Sequence, residues 1–190
     1  MSDENLYGVT GYDIDNISFI HPDVIEIAFK NGYDVNKLIT DFLGMDQTFL
    51  MNTCTHFDCY TFKRIHLALE YGADINKQRS TGDTALNYAC GNGKKEVVQF
   101  LLDHGADIYI EGYKGMNVID DTYQLIYNKW YRGCKYQKIP GCSIDEEKKC
   151  NICEWKEVLM LLQNHDKKIK SLFHLMLDYT DIINKKQRFQ

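Results

Sequence analysis

Gly82-Asp83-Thr84-Ala85-Leu86-Asn87-Tyr88-Ala89-Cys90 opens a pattern that continues as Glu96-Val97-Val98-Gln99-Phe100-Leu101-Leu102 and closes at His104-Gly105-Ala106-Asp107-Ile108. Thr84 stands where a helix N-cap belongs. Leu86, Ala89 and Cys90 follow at i, i+3 and i+4, the spacing of one buried helix face. The small Ala89 and Cys90 let a second helix approach closely. Gly91-Asn92-Gly93 makes a tight turn from residues that tolerate positive φ. Val97, Val98, Leu101 and Leu102 form the apolar stripe of the second helix. Gly105 ends that helix as a C-cap, and Ala106-Asp107-Ile108 leads into an extended loop.

The unit recurs. Tyr71-Gly72-Ala73-Asp74-Ile75-Asn76 returns 33 residues later as His104-Gly105-Ala106-Asp107-Ile108-Tyr109, and Asn31-Gly32-Tyr33-Asp34-Val35-Asn36 is an earlier, looser copy. Thr48, Leu50 and Cys54 match Thr84, Leu86 and Cys90, and Gly115-Met116-Asn117-Val118-Ile119 lies 33 after Gly82 to Leu86. Insertions of about three residues near Asp58-Cys59-Tyr60 and about four around Leu38 to Phe42 absorb the longer spacings. Lys156-Glu157-Val158-Leu159-Met160-Leu161-Leu162 matches Lys95 to Leu102, with Leu161 sixty residues after Leu101. A segment of about 27 residues near Asn128 to Cys153 therefore interrupts the fourth copy.

Residues 79–111 resemble the ankyrin repeat, with Gly82, Thr84, Leu86, Ala89, Gly93, Val97, Val98, Leu101, Leu102, Gly105, Ala106 and Asp107 at family positions. Ala85 replaces the family's usual Pro and Asn87 its usual His, exchanges expected to weaken capping. The resemblance implies an all-α ankyrin-repeat solenoid of stacked helix-turn-helix units with a C-terminal capping helix and an insertion in the fourth repeat. The expected organisation is a single domain over 1–190. Its repeats span 13–42, 43–78, 79–111 and 112–166, its insertion 128–153 and its capping helix 167–184. Ile169, Leu172, Phe173, Met176 and Ile183 give the last helix its apolar face.

Composition excludes several classes. The chain has 190 residues, a length for one domain or a short repeat array. Its 44% hydrophobic and 26% charged residues are globular values. The net charge of −5 supplies no field for nucleic acid or an anionic membrane, so neither is an expected partner. No stretch of about 20 apolar residues spans a membrane. Met1-Ser2-Asp3-Glu4-Asn5 has no signal-peptide character, and seven Cys is an odd number. A soluble, cytoplasmic protein with reduced thiols or a metal site is expected. Lys, Ile, Asn and Tyr abound over Arg, Ala and Pro, as A/T-rich codons dictate, so the 13 Tyr say little about binding. The style is similar to that of ankyrin proteins of large DNA viruses, which implies a protein that engages a host factor in host cytoplasm or virion. Protists with A/T-rich genomes share the bias.

Catalytic signatures are missing: no G-x-S-x-G, no Walker loop and no H-E-x-x-H occurs. The expectation is a protein that is not an enzyme. His104 precedes a C-cap Gly and His66 lies on a helix, both structural places. Asp74 and Asp107 are expected to bond loop N–H groups. Cys54 and Cys90 fall in the core by register, and Cys59 in a loop. Cys134, Cys142, Cys150 and Cys153 form the candidate metal set. Cys150-Asn151-Ile152-Cys153 is a C-x-x-C that allows two thiolates to chelate Zn²⁺, and Cys134 and Cys142 would complete a tetrahedral site. A loop with free thiols is the other reading, and no further cofactor is expected.

By resemblance, ankyrin arrays bind other proteins through loop tips and inner helices, which vary without damage to the stack. By register the contact candidates are Gln78, Ser80, Thr81, Asp83 and Asn92, then Glu111, Tyr113, Lys114 and Met116. On the preceding repeat they are Met45, Gln47, Thr55 and His56. Tyr113, Met45 and Met116 would supply apolar anchors. A monomer or weak homodimer is expected, since Val24, Ile25, Ile27 and Phe29 leave an apolar end that a second copy could cover. A zinc-stabilised regulator built on the Cys-bearing insertion is the competing reading.

Overall fold

A computed structural model describes residues 21–40, 44–56, 58–136 and 151–165, with the side chains of 129–136 and 151–153 outside that description. Seven helices run in sequence among the described residues: α1 (Pro22–Lys30), α2 (Phe49–Thr55), α3 (Thr61–Glu70), α4 (Ala85–Gly91), α5 (Lys95–Asp103), α6 (Val118–Tyr136) and α7 (Asn151–His165). A two-residue hairpin, β1 (Ile39–Thr40) with β2 (Asp46–Gln47), pairs antiparallel with Ile39 opposite Gln47. The chain is thus all-α in its framework, as the apolar spacing predicts.

The helices pack as two rows. In the inner row α2 lies on α4 and α4 on α6. In the outer row α1 lies on α3 and α5 on α7. Within each unit α2 packs on α3, α4 on α5 and α6 on α7. Leu86, Ala89 and Cys90 of α4 are buried, and so are Val97, Val98, Leu101 and Leu102 of α5. Each fully buried aliphatic side chain contributes about 1.5–3 kcal/mol, so a row of such layers is what holds short helices that would be marginal alone.

The N-termini of the inner helices are capped by three different chemistries. At α4, Asn87 Oδ1 accepts both the Thr84 N–H at 3.0 Å and the Thr84 hydroxyl at 2.9 Å. Asn87 therefore takes part in this cap. The shorter amide stays beneath the first turn and closes a reciprocal box. At α2, Thr48 Oγ1 accepts the Met51 N–H at 3.2 Å, while the Met51 sulfur takes the Thr48 N–H at 3.4 Å. At α6, Asn117 Oδ1 accepts from the N–H groups of Ile119 and Asp120.

The extra residues near Asp58 are ordered by a buried arginine. Arg64 is 1% exposed and grips Asp58 with Nη1 at 3.2 Å and Nη2 at 2.8 Å. Burial pushes the Asp58 carboxyl up. The Tyr60 N–H, the Arg64 guanidinium and the Thr61 hydroxyl outweigh that and hold it below its ordinary range.

In the fourth copy α6 continues to Tyr136 and α7 opens at Asn151, so both ends of the expected insertion 128–153 are helical. No proline occurs between Asn128 and Tyr136 to stop the helix, and the first comes at Pro140. The burial of α7 also moves the register by one. Val158, Leu159, Leu162 and Gln163 occupy the buried positions of Val97, Val98, Leu101 and Leu102, each 61 residues on rather than sixty. Trp155, buried on the same face, sets this phase. The expected capping helix at 167–184 lies outside the described residues.

Candidate interaction surface

Three loop tips project between the inner helices, and each is bonded to the next. The first tip carries Met45 and Asp46. Asp46 takes the Ser80 hydroxyl at 2.6 Å and the Ser80 N–H at 2.9 Å. These two bonds hold the Asp46 carboxyl below its ordinary range. Arg79 reaches back so that Nη1 lies 3.7 Å from the Met45 sulfur. The second tip is joined to the third by Asp83, whose Oδ1 accepts the Tyr113 N–H at 3.2 Å. Gln78 spans the same gap, donating to the carbonyls of Gly82 and Glu111 at 2.8 and 2.9 Å.

Glycine makes this close approach possible. A Cβ on Gly82 would lie 3.0 Å from the Glu111 carbonyl oxygen, and Gly82 also has φ +91°. A Cβ on Gly112 would lie 2.8 Å from Asp83 Oδ1. The backbones of the second and third tips therefore touch only because neither residue has a side chain.

The sequence-derived contact residues divide by what they already hold. Gln78, Ser80 and Asp83 tie the tips together. Asp83 is also paired with Arg79, Nη2 to Oδ2 at 2.7 Å, and it takes the Thr81 hydroxyl at 2.8 Å. Asn92 donates to the Tyr88 carbonyl at 2.8 Å, and Thr55 to the Met51 carbonyl at 3.1 Å. His56 Nδ1 lies 3.4 Å from the Asn52 carbonyl. Gln47 is half-buried in β2, and Met116 is half-buried behind the third tip. Glu111, Tyr113 and Lys114 are exposed at the third tip, Tyr113 at 55%. Lys114 holds φ +60°, a left-handed conformation unusual for a residue with a side chain, and its ammonium lies 5.1 Å from the Tyr113 ring centre. Met45 is 39% exposed at the first tip.

Sequence spacing missed two sets of residues. Asn36 and Asn76 bridge consecutive loops. Asn36 donates to the Gly72 carbonyl at 2.9 Å and accepts from the Asp74 N–H at 2.7 Å. Asn76 does the same one unit on, to the Gly105 carbonyl at 3.3 Å and from the Asp107 N–H at 2.8 Å. Their shared place two residues after Asp34 and Asp74 was the available signal, and Tyr109 breaks it in the third copy. The carboxylates of Asp34, Asp74 and Asp107 each accept the N–H two residues on, at 2.9, 2.9 and 2.8 Å, the loop-bonding role expected of Asp74 and Asp107. Tyr88 and Asp121 are the second set. They occupy the same register position on α4 and α6, half-buried on the inner row, with the Arg79 guanidinium 5.6 Å from the Tyr88 ring centre.

The thiols separate cleanly. Cys54 and Cys90 are buried and free, and Cys59 is exposed. Burial pushes the Cys54 thiol up to about 12 and raises that of Cys90 as well, which leaves both unreactive. Of the candidate zinc set, Cys142 and Cys150 lie outside the described residues, as do the side chains of Cys134 and Cys153.

A family model described as ankyrin repeats (3 copies) matches residues 17–111, half of the chain. The chain belongs to the ankyrin repeat family. Ankyrin repeats are a general protein–protein interaction module, and the match indicates no catalytic family. Similar proteins include the ankyrin repeat and KH domain-containing protein mask-1 of Caenorhabditis elegans, 33% identical over 97 residues. That match covers 50% of this chain and 3% of the worm protein. The putative ankyrin repeat protein R664 of Acanthamoeba polyphaga mimivirus is 30% identical over 96 residues, covering 50% of this chain and 58% of the viral one. This ankyrin chain thus spans less than two thirds of the length of either relative. The ankyrin repeat domain of Bcl-3 superposes with a TM-score of 0.47 at 18% identity, over 57% of this chain and 44% of that one. No described helix is long and apolar enough to cross a membrane.

Proposed function

We propose that this ankyrin array is a non-enzymatic module that binds another protein along the ridge of its three loop tips and the adjoining inner helices. The observation that carries the reading is the bonding of one tip to the next. Asp46 to Ser80 and Asp83 to Tyr113 turn three short loops into one surface that is rigid before any partner arrives, which lowers the ordering cost of association. On that ridge Tyr113, Lys114, Glu111 and Met45 remain exposed, and Tyr113 supplies the aromatic anchor. The half-buried Tyr88 and Asp121 extend the surface onto α4 and α6. The module acts in the cytoplasm, as a monomer or weak homodimer, without nucleic acid or membrane. Likeness to a mimivirus ankyrin protein supports a viral protein that engages a host factor.

The test is a photo-reactive residue placed at position 113, and separately at position 62 on the outer row, in an extract of the host. A partner crosslinked from 113 and not from 62 is expected. Tyr113→Ala together with Lys114→Ala should abolish capture with an unchanged melting curve. Crosslinking from 62 alone would overturn the assignment of the ridge. Asp83 is unsuited to this test, because its loss would disconnect the second tip from the third.

A further inference from the structure

Two histidines meet on the outer row. His66 lies on α3 and His104 caps the C-terminus of α5, and both are exposed. Their ring centres are 6.0 Å apart with planes at 82°. An aromatic frame holds both rings. His104 stacks on Phe100 at 4.0 Å and 20°, and His66 meets the edge of Phe100 at 5.3 Å. Phe62 closes the frame against Phe100 at 5.8 Å.

The tautomer of His104 is set by its neighbour. Its Nδ1 lies 2.7 Å from the Phe100 carbonyl oxygen, which can only accept. Nδ1 therefore carries the proton, which leaves Nε2 as the nitrogen for a ligand. A backbone carbonyl on one ring nitrogen is the arrangement that orients a metal-ligating imidazole through the other.

We propose that His66 and His104 form a two-imidazole site for a divalent transition-metal ion, with water filling the other positions. Metal–nitrogen bonds of about 2.1 Å put two bound imidazole rings about 5 Å apart, so these exposed side chains need close by only about 1 Å. Among the described residues no group of three or more His, Cys, Asp or Glu gathers at a metal-binding distance, so the proposed site has two protein ligands only. Imidazole donors suit zinc, nickel and copper over magnesium or calcium. An ion there staples α3 to α5.

The probe is Ni²⁺, added to the reduced full-length chain. Binding is followed by calorimetry and by paramagnetic broadening of backbone amide signals. The expected result is one ion that broadens amides around His66 and His104, with affinity about tenfold weaker or worse in either His66→Gln or His104→Gln. Both variants change exposed rings and should keep the parent's circular dichroism. Cys150→Ser with Cys153→Ser should keep the site. Broadening centred on other residues, an affinity unaffected by His66→Gln, or no uptake at millimolar Ni²⁺ would each overturn the proposal.

Discussion

Asp121 and Asp58 show how one residue type is driven in opposite directions by its surroundings. Asp121 sits in the first turn of α6, where the helix N-terminus favours a negative charge. Burial nevertheless raises its carboxyl above the ordinary range, and the charge of Asp83 adds to the shift. Asp83 cannot share its own cation, because Arg79 already pairs with it at 2.7 Å. A carboxyl whose folded pKa is raised contributes stability below its unfolded value, near about 3.9. That contribution is lost as pH rises through the folded value, so ionised Asp121 weakens the fold at neutrality. Asp121→Asn should raise the melting temperature at pH 7 and lose that advantage near pH 3. Paired melts of the two proteins at both pH values measure it. A variant less stable at pH 7 would mean that attraction to the helix terminus outweighs burial. For Asp46 and Asp58, whose carboxyls are lowered, the sign reverses: their contribution is present at neutrality and fades in acid.

Between elements, the bonds that matter run from one unit to the next. Asn76 joins two loops through the Gly105 carbonyl and the Asp107 N–H. Asn76→Ala deletes both bonds in a solvent-accessible place, so the cost should be about 1 kcal/mol, at the lower end of the range for groups left unpaired. A urea midpoint that falls with an unchanged slope would show it. An unchanged midpoint would mean that water replaces the bridge without loss. Tyr109→Asn, at the same position of the third loop, should leave the midpoint alone. These bridges also mark where sequence reading stops. Thr84, Leu86, Ala89, Cys90 and the stripe from Val97 to Leu102 were legible because their meaning lies in spacings of three and four along one chain segment. Gln78, Ser80 and Asp83 were read as residues free for a partner, because the groups they bond lie some 30 residues away, where no local period reaches. The phase of α7 was ambiguous for a different reason. Val158-Leu159-Met160-Leu161-Leu162 is apolar throughout and fits two registers, and only the packing of Trp155 selects one.

The described helices form a row in which each unit meets its neighbours, so stability is a sum of unit and interface contributions. The interface between the third and fourth pairs rests on Trp155. Its indole Nε1 donates to the Cys90 carbonyl at 3.0 Å, with the Gly91 carbonyl at 3.3 Å, at the point where α4 ends. A Cβ on Gly93 would come within 3.3 Å of Glu154, so α7 seats directly on the turn between α4 and α5. The Lys95–Glu157 pair at 3.1 Å is solvent-exposed and adds little. Trp155→Ala removes the ring and the donor together, which should cost about 3–5 kcal/mol. The loss belongs to one interface, not to the row. α6 and α7 should therefore lose amide protection first, while α2 to α5 retain theirs on one another. Hydrogen exchange resolved by segment reads this directly. Equal loss of protection in every described helix would show that they fold as one cooperative block. The tip at Tyr113 would then depend on α7 as much as on its own neighbours, since that tip lies between the third and fourth pairs. Under the nearest-neighbour description the first two tips keep their Asp46–Ser80 bond when α7 is released, and part of the proposed ridge survives.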